Sequence, residues 1–556
     1  MKRANVAILV AVTGILGAFL VYPLVYVVRG AAFPQGRLSP AFFVHLLANP
    51  IMREGIANSF LLAAVTTVLT AVLAIPLAFV VVRYTFPAKA LLTGLLLVPM
   101  IMPPFVGAIG MRQFLARFGS MNLLLMHAGL IEQPVDWLGA ARFWGVVAVM
   151  VLHLYPILYL NVAAAMANVD PSLEEAGVNL GSNRWRLFRR VTWPLMMPGV
   201  FAGSVIVFIW ALTDLGTPLV FEYRRVVPVQ IFDRVTDMSD NPEGYALVVL
   251  VLILTLAFFL GSKRLFGRRA YQTLGKGGLR RAERRPNAAG RVLIPTLIAG
   301  VVLVACLPHL AVILTSVRAK WFLTVLPEAY TLDYYRGALG HRLTLPSIRN
   351  SMMLSSLSTL ADLVLGIGVA YLLVRRRFRG CDLLDAAVML PLAVPGLVLA
   401  FGYVAGYAGT VLDPRENPFP LLVAAYAVRR LPYMARAAYA GFQQISVTLE
   451  ESAANLGSSG LRVLRRITLP LISANLIGGG ILAFSFAMLE VSDSLILAMQ
   501  EDFYPITKAI YVLIGRIEDG PYIASALGVW AMVFLALALL SAGVLLGRRM
   551  GQLFRA

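Results

Sequence analysis

The chain has 556 residues, of which 59% are hydrophobic and only 14% charged, with a formal net charge of +20. A soluble protein carries about 25% charged residues, and the mean hydropathy here is +0.79. The composition therefore excludes a soluble enzyme and reads as an all-α polytopic membrane protein. Its positive charge fits loops retained on the cytoplasmic side and implies no nucleic acid partner.

Met1-Lys2-Arg3 followed by an apolar run has the outline of a signal peptide. The run continues to about Val28 with no small-residue cleavage site, so it reads as the first span. Apolar stretches long enough to cross about 30 Å of hydrocarbon follow in chain order. They fall near 5–28, 57–82, 89–112, 143–167, 197–221 and 244–262, then near 292–315, 350–374, 383–410, 419–440, 471–498 and 521–546. That is twelve transmembrane helices as two sets of six. Residues 1–262 form a first membrane domain and 292–556 a second. Between them, 263–291 is rich in Arg, Gly and Lys and reads as a cytoplasmic basic linker. With both termini inside, the clusters Arg184 to Arg190, Arg268 to Arg285, Arg375 to Arg379, Arg462 to Arg466 and Arg548 to Arg555 all fall inside; Arg224 and Arg225 are the exception. Cys306 and Cys381 lie in or beside apolar runs and read as core filler. His153 and His309 read as packed residues, and no metal site or cofactor is expected.

The two sets repeat. Asn58-Ser59, Arg83, Phe86, Pro99, Pro103 and Gly110 recur at an offset of 292 as Asn350-Ser351, Arg375, Phe378, Pro391, Pro395 and Gly402. Leu173-Glu174-Glu175, Asn179-Leu180-Gly181-Ser182, Arg186, Arg189-Arg190, Thr192 and Pro194-Leu195 recur at an offset of 276. The first half thus carries about sixteen extra residues within 112–142. Six spans return the chain to the same side, so the repeats are parallel and related by an axis along the membrane normal.

The inside loop between the fourth and fifth spans occupies 172–194 in the first half and 448–470 in the second. Ser172-Leu173-Glu174-Glu175 and Thr448-Leu449-Glu450-Glu451 match the S/T-x-x-E capping box and predict helix starts. Gly181 and Gly457 stand where such a helix would end, and Pro194 and Pro470 open the next span. Acidic groups inside apolar spans cost about 2.5–3.5 kcal/mol at the centre on insertion scales. Asp214 and its counterpart Glu490, with Asp493 beside it, are therefore candidates to line a path.

Each loop resembles the EAA-x3-G-x9-I-x-L-P signature of importer-type ABC transporter permeases. The first reads Glu175-Ala176-Gly177, then Gly181, then Val191-Thr192-Trp193-Pro194. The second reads Glu451-Ser452-Ala453, then Gly457, then Ile467-Thr468-Leu469-Pro470. The resemblance implies the type I importer permease fold and a bacterial cytoplasmic (inner) membrane location. It also implies partners: two copies of a cytoplasmic ABC ATPase, a periplasmic or lipid-anchored solute-binding protein, and the lipid bilayer. Glu174, Glu175, Ala176, Gly181, Pro194, Glu450, Glu451, Ala453, Gly457 and Pro470 would then form two ATPase-coupling elements. The chain has no GxxxxGK[ST] phosphate loop; Leu274-Gly275-Lys276-Gly277 is the nearest approach. ATP hydrolysis would belong to the partner, and this chain would be no enzyme. The fused layout, Ala211-Leu212-Thr213-Asp214-Leu215-Gly216-Thr217-Pro218 and the stretch from Glu490 to Leu497 resemble ferric-iron permeases. Related permeases for thiamine, 2-aminoethylphosphonate and polyamines share that layout. An ion-gradient-driven twelve-helix secondary transporter is the rival of another class. It would need a Gly/Asp/Arg loop after the second span, where this chain has Arg83-Tyr84-Thr85-Phe86-Pro87-Ala88-Lys89.

Overall fold

The computed structural model describes residues 3–33, 41–139, 142–167, 169–235, 243–266, 284–376 and 378–553. Most of the basic linker, 267–283, lies outside the described residues. In chain order the helices that matter here begin with α1 (Asn5–Ala32), α2 (Pro50–Arg83), α3 (Lys89–Ile101), α4 (Pro104–Phe114), α5 (Phe143–Ala167) and α6 (Pro171–Asn179). Then come α7 (Trp193–Thr213), α8 (Gly216–Val220), α9 (Glu243–Phe266) and α10 (Ala288–Val317). The second repeat supplies α11 (Thr344–Arg375), α12 (Cys381–Leu392), α13 (Gly396–Gly406), α14 (Phe419–Gln444) and α15 (Val447–Asn455). It ends with α16 (Ser473–Met488), α17 (Ser492–Leu497), α18 (Ile506–Ile514) and α19 (Gly520–Leu553). Among the described residues the one sheet is a short antiparallel hairpin after α10, β1 (Arg318–Lys320) with β2 (Ala329–Tyr330).

Eight described helices are long and apolar enough to cross a membrane, and eleven if each of three bent pairs is one span. The third stretch of each repeat, read from the sequence as one helix over 89–112 and 383–410, is two helices. α3 and α4 meet at 92°, and α12 and α13 at 98°. The cause is the proline pair read from the repeat. Pro103 and Pro395 precede α4 and α13 with extended ψ of 137° and 138°. Proline cannot donate to a helical ladder and pushes the residue before it out of the α region; Met102 is extended accordingly. A third bend of 74° separates Gly460–Leu471 from α16. α14 is not in that set. It carries Arg429, Arg430 and Arg436 along a stretch taken as apolar from the sequence.

Cα packing divides the chain into two compact units. One comprises Met1–Leu46, Ile231–Leu252 and Tyr335–Ala556; the other comprises Leu47–Gln230 and Ile253–Tyr334. Packing boundaries and repeat boundaries therefore differ, because each repeat lends its first helix to the other's core. In the first unit the second half of α1 lies on α13, every residue of which is buried. Tyr403 and Tyr407 donate to the carbonyls of Phe19 and Ala18, and Tyr22 donates to that of Gly406 at 2.8 Å. In the second unit α10 lies on α4. Hydrocarbon gives apolar helices no net drive to associate, so contact depends on close backbone approach at small residues. A Cβ on Gly110 would stand 2.5 Å from the amide of Val312, and one on Gly402 would stand 2.9 Å from the carbonyl oxygen of Pro23. These two glycines were matched in the repeat, and the structure gives both the same task.

The extra residues of the first half are ordered by one buried side chain. Asn122 donates to the carbonyls of Arg117 and Val135 at 3.0 and 2.7 Å. It accepts from the amide of Val135 at 3.1 Å and from the indole of Trp137 at 2.8 Å. Asn122→Ala would leave these groups unpaired, at about 1–3 kcal/mol for each buried group that water cannot reach. The expected result is faster proteolysis within 115–139 with the membrane helices intact. Arg225, one of the two arginines that broke the inside pattern, holds both oxygens of Glu54 at 3.0 and 2.7 Å.

Candidate functional site

Both EAA loops fold into the same unit. α6 and α15 are nine-residue helices. Their caps lie two residues earlier than the capping boxes suggest. Asp170 accepts from the amide of Ser172 at 2.9 Å, and Ser446 from that of Thr448 at 3.3 Å. A Schellman motif closes each helix. The amide of Ser182 reaches the carbonyl of Gly177 at 3.0 Å, and that of Gly181 reaches Val178 at 2.9 Å. In the second loop, Ser458 reaches Ala453 at 3.1 Å and Gly457 reaches Ala454 at 2.9 Å. Gly181 and Gly457 hold φ at +77° and +83°, the left-handed region that a Cβ disfavours. Nothing lies within 4 Å of a Cβ built on either, so the demand is conformational alone. Gly181→Ala and Gly457→Ala should therefore each cost about 1–2 kcal/mol locally. If the loops bind an ATPase only when so folded, its affinity should fall about tenfold or somewhat more per loop, as a titration of the purified complex would show.

The paired glutamates divide their work. Glu174 turns inward, forms an ion pair with Arg83 at the end of α2, and accepts from Thr192 Oγ1 at 2.7 Å. Arg83 also donates to Thr192 at 3.2 Å. The second half repeats the arrangement: Arg375 Nε pairs with Glu450 at 2.9 Å, and Thr468 Oγ1 donates to Glu450 at 3.0 Å. Each loop helix is thus tied to the end of a span and to the chain that enters the next one. Glu175 and Glu451, expected as caps, are instead exposed. The outer face also presents Leu173, Leu180 and Trp185 in one loop and Leu449, Leu456 and Leu461 in the other, with Leu180 86% and Leu456 88% exposed. Arg83, Arg375, Thr192 and Thr468 were visible as repeat matches, but their spacing alone assigned them no partner. Ala176 is exposed and Ala453 half-buried on the same helices. Pro194 sits in the first turn of α7, and Pro470 within a short turn, Leu469–Leu471, that precedes α16.

The acidic candidates occupy matching breaks. Asp214 lies between α7 and α8 and accepts from the amide of Thr217 at 3.1 Å. Glu490 lies between α16 and α17 and accepts from that of Asp493 at 3.2 Å. The halves then diverge. Glu490 is 7% exposed and Asp493 0%, so neither is open to a solute in this conformation. Arg429 pairs with Glu490 at 2.8 Å and with Asp493 at 3.1 Å, and Arg430 pairs with the other oxygen of Glu490. Tyr426 and Ser494 share a hydrogen bond of 2.6 Å beside them. Two adjacent arginines inside a span are the signal that could have revealed this cluster.

Residues 70–271 and 362–551 match the family model described as "Binding-protein-dependent transport system inner membrane component". The chain is similar to the ferric transport system permease protein FbpB of Actinobacillus pleuropneumoniae, with 26% identity over 511 residues, covering 91% of this chain and 72% of that protein. It is 23% identical to the Fe(3+)-transport system permease protein FbpB 2 of Haemophilus influenzae over 489 residues, covering 88% of each. The molybdate/tungstate transport system permease protein WtpB of Pyrococcus furiosus is 29% identical over 192 residues, 34% of this chain and 74% of that protein.

Proposed function

Since the chain belongs to the family of binding-protein-dependent transport system inner membrane components, we propose that it is the permease through which an ATP-driven importer moves ferric iron. As a member it is a multi-pass inner-membrane transport subunit and not an enzyme; it works with an ATPase and a solute-binding protein. The reading of iron as cargo is supported by similarity along nearly the whole chain to two ferric permeases. The reading of the mechanism is carried by the two EAA loops. Each presents an exposed apolar face with Glu175 or Glu451 on it, and each is anchored by Glu174 or Glu450 to the membrane helices. We read them as docking points for two ATPase copies, one per loop. Closure of the ATPases would move the loops, and the arginine anchors would pass that movement to α2 and α11 as rigid displacement.

In this reading α14 and the bent pairs complete twelve spans in two repeats, 1–262 and 292–556. The termini and the 263–291 linker are cytoplasmic, where the arginine clusters fall. Asp214, Glu490 and Asp493 act in the same reading as supports of the two helix breaks beside the path. The test is uptake by the permease reconstituted with its ATPase and binding protein. Radioactive ferric iron should enter only with ATP, and excess thiamine, 2-aminoethylphosphonate, polyamine or molybdate should not compete. Competition by one of these would reassign the cargo. Uptake by the chain alone on an ion gradient would overturn the mechanism.

A further inference from the structure

A third carboxylate, Asp362, accompanies the buried cluster of Glu490 and Asp493. Asp362 lies in the middle of α11 and is 0% exposed. Among the described residues neither of its oxygens has a hydrogen-bond partner. Arg430 Nη1 and Asp493 Oδ1 also lack one, although Nη1 stands 3.9 Å from the other oxygen of Asp493. The helix register brings Asp362 opposite Arg430. A Cβ on Gly366 would touch Met434 at 2.7 Å and the amide of Ala435 at 3.1 Å. Further along, Arg375 donates to the carbonyl of Ile445 at 3.1 Å and lies over the ring of Phe442. α11 and α14 therefore run in the same direction with a near-constant offset, and one turn before Gly366 and Met434 stand Asp362 and Arg430.

We propose that Asp362 is a positioning residue of the transport cycle: the alternative counter-ion that receives Arg430 when Glu490 gives it up. The two carboxylates differ in their footing. Glu490 sits in the break between α16 and α17, where the helical ladder is interrupted. Asp362 is fixed within a 32-residue helix. A shift at the break changes the distance from Arg430 to Glu490 and leaves Asp362 in place. Asp493, 3.9 Å from Arg430, stands in the first turn of α17 and moves with the same break; a shift that carried both carboxylates off would strand the guanidinium away from water, and with Asp362 opposite it has a second seat. Two ion-pair arrangements of one arginine give a two-state element of the kind such a transition requires. The device belongs to the second half alone. At the matching positions the first half has Thr70 for Asp362, Leu154 for Arg430 and Thr217 for Asp493.

The inference rests on the permease reading, but its test does not need transport. Spin labels at the exposed positions Leu360 on α11 and Leu482 on α16 would report the spacing of these helices in the permease–ATPase complex. Glu490→Gln should shift the distance distribution toward the state with Arg430 on Asp362. Asp362→Thr, which installs the first half's own residue, should abolish that shift in the double variant. In uptake, Asp362→Thr should keep ATPase assembly and lower transport at least tenfold, and Asp362→Glu should restore most of it. If Asp362→Thr matches the parent protein in both the Glu490→Gln shift and uptake, the proposal is overturned. Failure of the unmodified complex to transport would strike the cargo or mechanism and leave the distance measurement to decide this point.

Discussion

Glu451→Lys and Gly457→Glu are each expected to abolish most transport while the permease remains inserted and folded. Glu451 is exposed on α15, so reversing its charge leaves the fold unchanged and alters only what the helix offers a partner. Gly457 ends that helix at φ +83°. A glutamate there strains the turn by about 1–2 kcal/mol and places a charge beside exposed Leu456. The anchor of the loop, Glu450 with Arg375 and Thr468, is untouched in both variants. In the mechanism proposed above, a motor of two ATPases would need both docking points, so damage to one loop should suffice. Co-purification of the ATPase with each variant, alongside uptake, measures this. Full complex and full transport in both would remove the loops from the mechanism.

Arg430→Leu should have the largest effect on stability. The guanidinium is 6% exposed and holds Glu490 together with the carbonyl of Phe486 at 2.8 Å. Arg429 remains as a single partner for two buried carboxylates. Breaking a buried ion pair from one side costs about 3–5 kcal/mol, because the partner charge is left uncompensated. That is a large part of the 5–15 kcal/mol typical of a folded domain. The expected result is a steep loss of folded protein in detergent, read by thermal unfolding. The matching substitution in the first half, Leu154→Val, removes one buried methylene and should cost far less. Equal thermal stability of Arg430→Leu and the parent would show that the cluster does not hold α14 to α16 and α17.

The features legible in the sequence were those that local chemistry dictates. The fixed offsets of 292 and 276 located both loops, and the glycine at their ends announced a left-handed turn that no other residue makes cheaply. The paired prolines marked the third stretch of each repeat, yet the reading there was a single helix. Hydropathy registers apolar length and is blind to a right-angled break between two apolar pieces. The caps were placed two residues late because Ser172 and Thr448 fit the capping-box pattern, whereas the residues that cap, Asp170 and Ser446, have Leu173 and Leu449 three positions on and so do not fit it. The exchange of first helices was not legible at all. An apolar helix of suitable length fits either groove by composition, and the choice is made by backbone approach at Gly110 and Gly402. Asp362 escaped notice because a single acid in a serine-rich face of α11, with Ser351, Ser355 and Ser358, does not interrupt the apolar run.

The exchange of first helices also sets an order of events during synthesis. α1 leaves the ribosome first, and its seat on α13 is made only after most of the chain has followed. At about 5–20 residues per second the interval is on the order of tens of seconds. Through that time α1 must wait in the bilayer unpartnered, and α4 must wait likewise for α10. Neither repeat can finish its core by itself: a chain that stops before α10 leaves α4 uncovered, and one that stops before α13 leaves α1 without its seat. The first helix of the second repeat thus closes the core of the first, and α13 then gives α1 its seat.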